Sequence, residues 1–395
     1  MKNKITFFLL LLAAFYTGCT ERPNTQVGNN LVDPSIQIAV FDTTFTSVSD
    51  TTFKGTVIPG TGSSNLVGRT SAGEDVVTML NFQTSPRSFD SLDGAVIDTA
   101  NISLTVNYRW NVTAIPVRLD MYEILQPWNY LTFSSDSASS NTLGPHILAS
   151  YSDSMNYSRT VISTPIDTTT VRKMINSYLH PDSTAFYGFA LRAAANTTPG
   201  IAGFITFTAN SVLSPTLTII YSRNGKKDSL KINYGFDTFY SQYTTPPVMT
   251  PIEVQGGFGI RSNIKFDLSS LNNKPVINNA VLELTLNKSQ SQIEGYSPDT
   301  IAVYIRSSDS NLDNIYTSTQ WSAYGAKKDS SQTTIVYQCK VTPFVQQWVN
   351  NVIVNNGFNI RWAAENSSAD KAIFYSSTEA DRTKRPALKI VYSKK

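Results

Sequence analysis

The chain has 395 residues, of which 41% are hydrophobic and only 15% charged; that length suits two or three domains of roughly 100–200 residues each. A formal charge of +3 offers no basic field for nucleic acid, and two Cys with two His exclude zinc clusters, disulfide scaffolds and most histidine-based catalysis. Polarity comes from Ser, Thr and Asn, and the 19 Tyr and 20 Phe suit pleated sheets, where aromatic and β-branched side chains pack well. The composition points to a β-rich, exported, non-catalytic protein.

Lys2 and Lys4 open the chain, and residues 7–16 form an apolar run of about ten, short of the roughly twenty that span a bilayer. The run leads into Tyr16-Thr17-Gly18-Cys19, which resembles a bacterial lipobox with Tyr in place of the usual Leu. The alternative is a plain signal peptide with an incidental cysteine. The resemblance implies that residues 1–18 are a lipoprotein signal peptide and that Cys19 carries a lipid anchor, sufficient for stable membrane attachment. Cys339 is then the only free thiol, and its strand-like setting reads as that of a small buried hydrophobe. Residues 19–35 are polar, with Gly and Pro, and read as a tether. Thr20 gives no Asp-type retention signal, so the outer membrane is the expected location, on its periplasmic or its external face.

The rest of the chain repeats. Residues 97–107 match 277–287 at an offset of 180, Leu80-Asn81-Phe82 matches Ile264-Lys265-Phe266 at 184, and residues 215–222 match 386–393 at 171. The boundaries drawn from this are 36–224 for a first domain and 225–395 for a second. The matched segments alternate with period two, so Ile102, Leu104 and Val106 face one core and Leu282, Leu284 and Leu286 another. Val117, Leu119 and Met121, and Ile301, Val303 and Ile305, continue the pattern. Each copy carries one helix, with Val171, Met174, Ile175, Tyr178 and Leu179 in the first and Val341, Phe344, Val345, Trp348 and Val349 in the second. Thr168 to Thr170 offer a cap for the first helix and His180-Pro181 a stop, while Thr342-Pro343 opens the second. Residues 230–245 read as the first strand of the second copy, before a Pro-rich loop.

Phe266-Asp267-Leu268-Ser269-Ser270-Leu271, the strand 277–286, the helix 341–349 and Arg385-Pro386-Ala387-Leu388-Lys389-Ile390-Val391-Tyr392 together resemble a DNRLRE-type domain, related to the TGF-β-propeptide-like jelly roll. The resemblance covers nearly all of the second copy. The first copy departs from it, with Asn81-Phe82-Gln83 and Ser214-Pro215 at the corresponding places. It implies an all-β fold of two tandem jelly-roll β-sandwich domains, each with one short covering helix. Some members of that family bind carbohydrate and others are repeats in cell-surface proteins.

Neither His146 nor His180 has a sequence neighbour that would make it a catalyst, and a histidine ending a helix interacts favourably with the helix dipole. Asp120, Glu123, Glu283 and Glu294 are scattered, and Ser103 stands opposite Glu283 in the repeat, so they read as solvated charge rather than a glycosidase pair. Asp42, Asp50, Asp90, Asp93 and Asp98 make the early part of the first copy acidic, enough to consider a structural Ca²⁺ but without a motif for one. No other cofactor is expected. Aromatic rings remain as candidate ligand contacts, because sugars stack their apolar C–H faces on them. Tyr108 and Trp110 extend beyond the core part of their strand; Trp128 and Tyr130 follow in a loop, and Trp321 and Tyr324 occupy the equivalent region of the second copy. Trp348 and Trp362 lie on apolar stripes and read as core.

The expectation is therefore a membrane-anchored lipoprotein that does no catalysis and does not bind nucleic acid. A polysaccharide-binding or adhesion role is expected first, a spacer or scaffold of an envelope protein assembly second. Rings grouped on one sheet favour sugar, and scattered rings favour scaffold.

Overall fold

The computed structural model describes residues 38–394, apart from 84–88, 112–116, 154–160, 181–184, 211, 243–251, 272, 295–298, 318–323 and 330–333. The first twelve strands are β1 (Ala39–Lys54), β2 (Ser64–Arg69), β3 (Asp75–Phe82), β4 (Val96–Trp110), β5 (Val117–Ile124), β6 (Leu143–Asp153), β7 (Val161–Ile166), β8 (Phe189–Ala193), β9 (Gly200–Ile205), β10 (Thr216–Arg223), β11 (Lys226–Ile232) and β12 (Gly235–Gln242). They are followed by β13 (Ile252–Gln255), β14 (Ile260–Phe266), β15 (Val276–Thr285), β16 (Thr300–Ile305), β17 (Tyr324–Asp329), β18 (Val336–Lys340), β19 (Phe358–Trp362), β20 (Lys371–Phe374) and β21 (Ala387–Lys394). Helix α1 (Thr168–Leu179) lies between β7 and β8, and α2 (Thr342–Val349) between β18 and β19. The fold is all-β, with two sheets curled into a barrel and a half-barrel.

Alternation in the sequence becomes alternation in burial. β4 buries Ala100, Ile102 and Leu104 and leaves Asn101 and Ser103 half-exposed; β15 buries Ala280, Leu282 and Leu284 and half-exposes Val281 and Glu283. Each buried Ile or Leu side chain among these contributes about 1.5–3 kcal/mol on leaving water. The two strands anchor two separate cores, one around Leu104, Phe189 and Ile219, the other around Leu284, Phe358 and Ile390. The helices lay their stripes on these cores, burying Val171, Met174 and Ile175 in α1 and Phe344, Val345, Trp348 and Val349 in α2. Their starts differ from the sequence expectation. The cap of α1 is Asp167, whose carboxylate accepts the Thr170 N–H at 3.0 Å. In α2 no side chain caps the first turn, because the Thr342 hydroxyl instead accepts the Ala280 N–H of β15 at 2.8 Å.

In the second half, β1, β21, β15, β18, β17, β16, β19 and β14 close into a ring, since β14 pairs back onto β1. In the first half the order β11-β10-β4-β9-β2-β3-β8-β5-β6, with β12 on β3 and β7 on β4, leaves no ladder between β6 and β7 among the described residues.

The strand pairing corrects the boundary drawn at 224/225. β1 belongs spatially to the second half: residues 39–46 pair with β21 and residues 47–54 with β14, around a bulge at Ser47 and Ser49. β11 and β12 belong to the first half, pairing with β10 and with β3. The two pairings are equivalent. Asp50 lies opposite Ile264 and Asp237 opposite Leu80, and Ile264 and Leu80 are matched positions of the repeat. Each copy has therefore given its opening strand to the other. Period-two patterning fixes which face of a strand is buried but not which sheet receives it, so exchange is invisible to it. The crossing after β1 is held tightly. A side chain at Gly62 would come within 2.1 Å of the Asn366 carbonyl of the second half, an approach only glycine permits.

Candidate functional site

Of the ring pairs singled out from sequence, Tyr108 and Trp110 are corrected first. They lie at the end of β4, 1% and 4% exposed, in a cluster joining Leu66, Val76, Ile201 and Phe239 of the first half to Phe258, Ile260 and Ala369 of the second. The Tyr108 hydroxyl donates to Asp370 Oδ1 at 3.1 Å and accepts the Ala369 N–H at 2.9 Å. Asp370 also accepts the Ser368 hydroxyl at 3.0 Å and the Glu294 N–H at 3.1 Å. Burial, with the Asp370 charge behind it, pushes the Tyr108 hydroxyl far above its ordinary range. A ring stacked on a sugar needs an open face, and these rings have none; they weld the halves together. Their strand runs past its own core because it reaches a second one.

Trp128 and Tyr130 do face outward in part. They sit in the turn after β5, where the Asn129 side-chain oxygen accepts the Leu131 N–H at 2.9 Å and its carbonyl accepts the Phe133 N–H at 2.8 Å. The Trp128 indole N–H donates to the Tyr187 carbonyl at 2.8 Å, which fixes the ring. Phe236, from the exchanged strand β12, completes the group. Its ring meets Trp128 edge-on at 4.7 Å and lies nearly parallel to Tyr130 at 5.8 Å. Trp128, Tyr130 and Phe236 are all half-buried. Beneath them Phe133 and the fully buried Tyr240 form a second layer, their rings 5.6 Å apart. The Tyr240 hydroxyl has no hydrogen-bond partner, and burial pushes it up to about 12. Sequence reasoning misses Phe236 because it assigns β12 to the other copy. The Phe236-Asp237-Thr238-Phe239-Tyr240 run is visible there, but its neighbour is not.

The second-copy pair is placed only in part. The backbone of Tyr324 pairs with Val303 in the β16–β17 ladder, and Trp321 lies outside the described residues, as does Cys19.

The carboxylates occupy separate partnerships rather than one cleft. Asp120 accepts the Ser150 hydroxyl at 2.7 Å, Glu123 pairs with Lys173, Glu283 pairs with Lys389 at 2.8 Å, and Glu294 accepts the Asn111 N–H at 3.1 Å. In the acidic early segment, Asp98 accepts the Ser222 hydroxyl at 2.8 Å and Asp50 the Ser377 N–H at 2.6 Å. Among the described residues no group of three or more His, Cys, Asp or Glu is placed to hold a metal ion. His146 lies exposed on β6, and His180 ends α1 with its N–H on the Asn176 carbonyl at 2.8 Å. Cys339 is 1% exposed, and burial pushes its thiol up to about 12, which keeps it unreactive.

A charge cluster also missed from sequence lies on the second half. Arg261, its side chain 5% exposed, is gripped by Asp313 at 2.6 Å and Glu365 at 2.8 Å, while Arg361 reaches Asp313 at 3.1 Å and lies over the Tyr304 ring. Two cations against two anions leave it internally neutral, as a buried network must be to offset its desolvation.

Compared with protein-family models, with curated proteins and with solved structures, the chain gives no match.

Proposed function

We propose that this chain is a non-catalytic outer-membrane lipoprotein, anchored by a lipid on Cys19, that binds a polysaccharide through its first half. The observation carrying this reading is the grouping of the half-buried rings of Trp128, Tyr130 and Phe236 at one place on the surface, packed over the buried Phe133 and Tyr240. Flat, fixed aromatic groups suit the apolar faces of pyranose rings at low conformational cost. A spacer or scaffold role in an envelope assembly is the second reading, supported by the reciprocal strand exchange and the Tyr108–Asp370 link, which tie the halves into one unit.

The test uses a soluble form lacking residues 1–18 with Cys19→Ser, applied to a glycan array with and without Ca²⁺. Binding to one polysaccharide class, weakened about tenfold or more in a Tyr130→Ala/Phe236→Ala double variant of unchanged circular dichroism, is the expected result. Failure to bind any glycan would move the protein to the scaffold reading. Incorporation of labelled fatty acid into the full chain, abolished by Cys19→Ala, tests the anchor separately.

A further inference from the structure

The β14–β15 loop, the end of α2 and the loop after it enclose an open cleft of about 810 Å³, with Val48 of β1 at its edge. Phe266, Leu271 and Trp348 form its buried walls, and the exposed Asn273, Lys274, Asn351, Val352 and Val354 its rim.

The first half has the same corner, and there it is filled. Tyr178 of α1 stands in the helical register of Trp348, and Phe82 matches Phe266. The segment joining the matched strands runs over 83–96 in the first half and 267–276 in the second, four residues shorter. The longer segment carries Phe89, fully buried, whose ring stacks on Tyr178 at 5.2 Å and 29°. The Tyr178 hydroxyl donates to the Phe82 carbonyl at 2.7 Å. The shorter segment has no aromatic residue. Trp348, 5% exposed, keeps an indole N–H with no hydrogen-bond partner, where Tyr178 is satisfied.

Five non-glycine residues have positive φ among those described, and three of them line this cleft: Asn273 at 66°, Lys274 at 46° and Asn351 at 58°. Asn351 is the left-handed residue that ends α2, and with Asn273 and Lys274 it sets the turns that shape the rim. Three exposed valines, Val48, Val352 and Val354, lie at the same opening, 60%, 63% and 70% exposed.

We infer that this cleft receives an aromatic side chain of a partner polypeptide, seated as Phe89 is seated in the first half. The repeat supplies the occupant's chemistry: its own version of the corner is closed by a phenylalanine carried on a chain segment, over the same helix position. The volume lies within the roughly 300–1,000 Å³ of ordinary ligand sites, so a ring and its flanking backbone fit together. The exposed amides of Asn273 and Asn351 at the rim meet the backbone of the incoming segment. This inference stands apart from the polysaccharide reading, which concerns the first half.

The test is a titration of the ¹⁵N-labelled soluble form with the blocked peptide Ac-Gly-Phe-Gly-NH₂, alongside Ac-Gly-Leu-Gly-NH₂ and methyl glucoside. The indole N–H signal of Trp348 is identified by its loss in Trp348→Phe. A saturable shift of that signal with the phenylalanine peptide, about fivefold weaker with the leucine peptide, is expected. Val354→Trp, placed at an exposed rim position so that the fold is untouched, should abolish it. A response to methyl glucoside instead, no response to the phenylalanine peptide, or unchanged binding in Val354→Trp overturns the proposal. Because the aromatic group around Trp128 is intact in every variant, glycan binding there is unaffected by any of these outcomes.

Discussion

Tyr178 and Trp348 hold the same place on the same helix in two copies of one domain, yet Phe89 closes over Tyr178 while Trp348 borders an open cleft. The halves differ again at their seams: β17 and β18 pair and close the ring of the second half, whereas β6 and β7 carry no ladder among the described residues. The exchanged strands, one continuous in β1 and the other split into β11 and β12, share one anchor. Asp237 accepts the Phe207 N–H at 2.8 Å, and the matched Asp50 accepts the Ser377 N–H at 2.6 Å, so each borrowed strand is pinned by a carboxylate at the same point. Duplicated frameworks preserve what holds strands together and diverge in the loops that cover corners, which is where binding surfaces arise.

The comparison can be broken most severely by starting the chain at residue 55. The second half then loses the strand bonded to both β14 and β21, while β12 still lines β3. A domain stable by only about 5–15 kcal/mol does not survive that loss. Hydrogen exchange should show amides of β14 and β21 unprotected and those of β3 and β10 protected; uniform protection would mean the exchange is dispensable.

A smaller effect sharpens the contrast between filled and open corners. Phe89→Ala should cost about 3–5 kcal/mol and Leu271→Ala only about 2 kcal/mol, because Leu271 already borders open space. Urea midpoints at constant slope measure both, and equal losses would deny the difference. Tyr108→Phe should follow, at about 1–3 kcal/mol, by leaving the buried Ala369 N–H without its acceptor and Asp370 short of a donor. The most modest effect is a slope. Burial pushes Asp237 up to about 7 from an ordinary 3.8, against the Phe207 N–H that favours its charged form. The folded state then holds a proton that the unfolded state has lost, so this group's contribution falls as pH rises from about 4 to about 7 and is level beyond. Asp237→Asn should flatten that part of the stability profile; an unchanged slope would assign it elsewhere.

Periodicity and internal repetition make much of the molecule legible. The strands around Ile102 and Leu282, both helices and the two cores follow from period two and period 3.6. The partner of each strand does not follow, because alternation marks a buried face without naming what buries it. That one gap explains the errors at Tyr108 and Trp110, whose extra alternation faces the other half rather than solvent, and the omission of Phe236. Trp348 belongs to a core by pattern and by structure alike, but its missing partner shows only when the four-residue difference between the joining segments is set against Phe89.

β1 and β21 are the first and last strands of the described chain, and Ala39 lies directly opposite Lys394. The pairing of β1 with β21 thus joins positions about 350 residues apart in the sequence. Contacts of such long range are slow to close. The second half therefore acquires no complete wall until strands from the two extremes of the described chain have met, which makes closure of its ring the late step of its assembly.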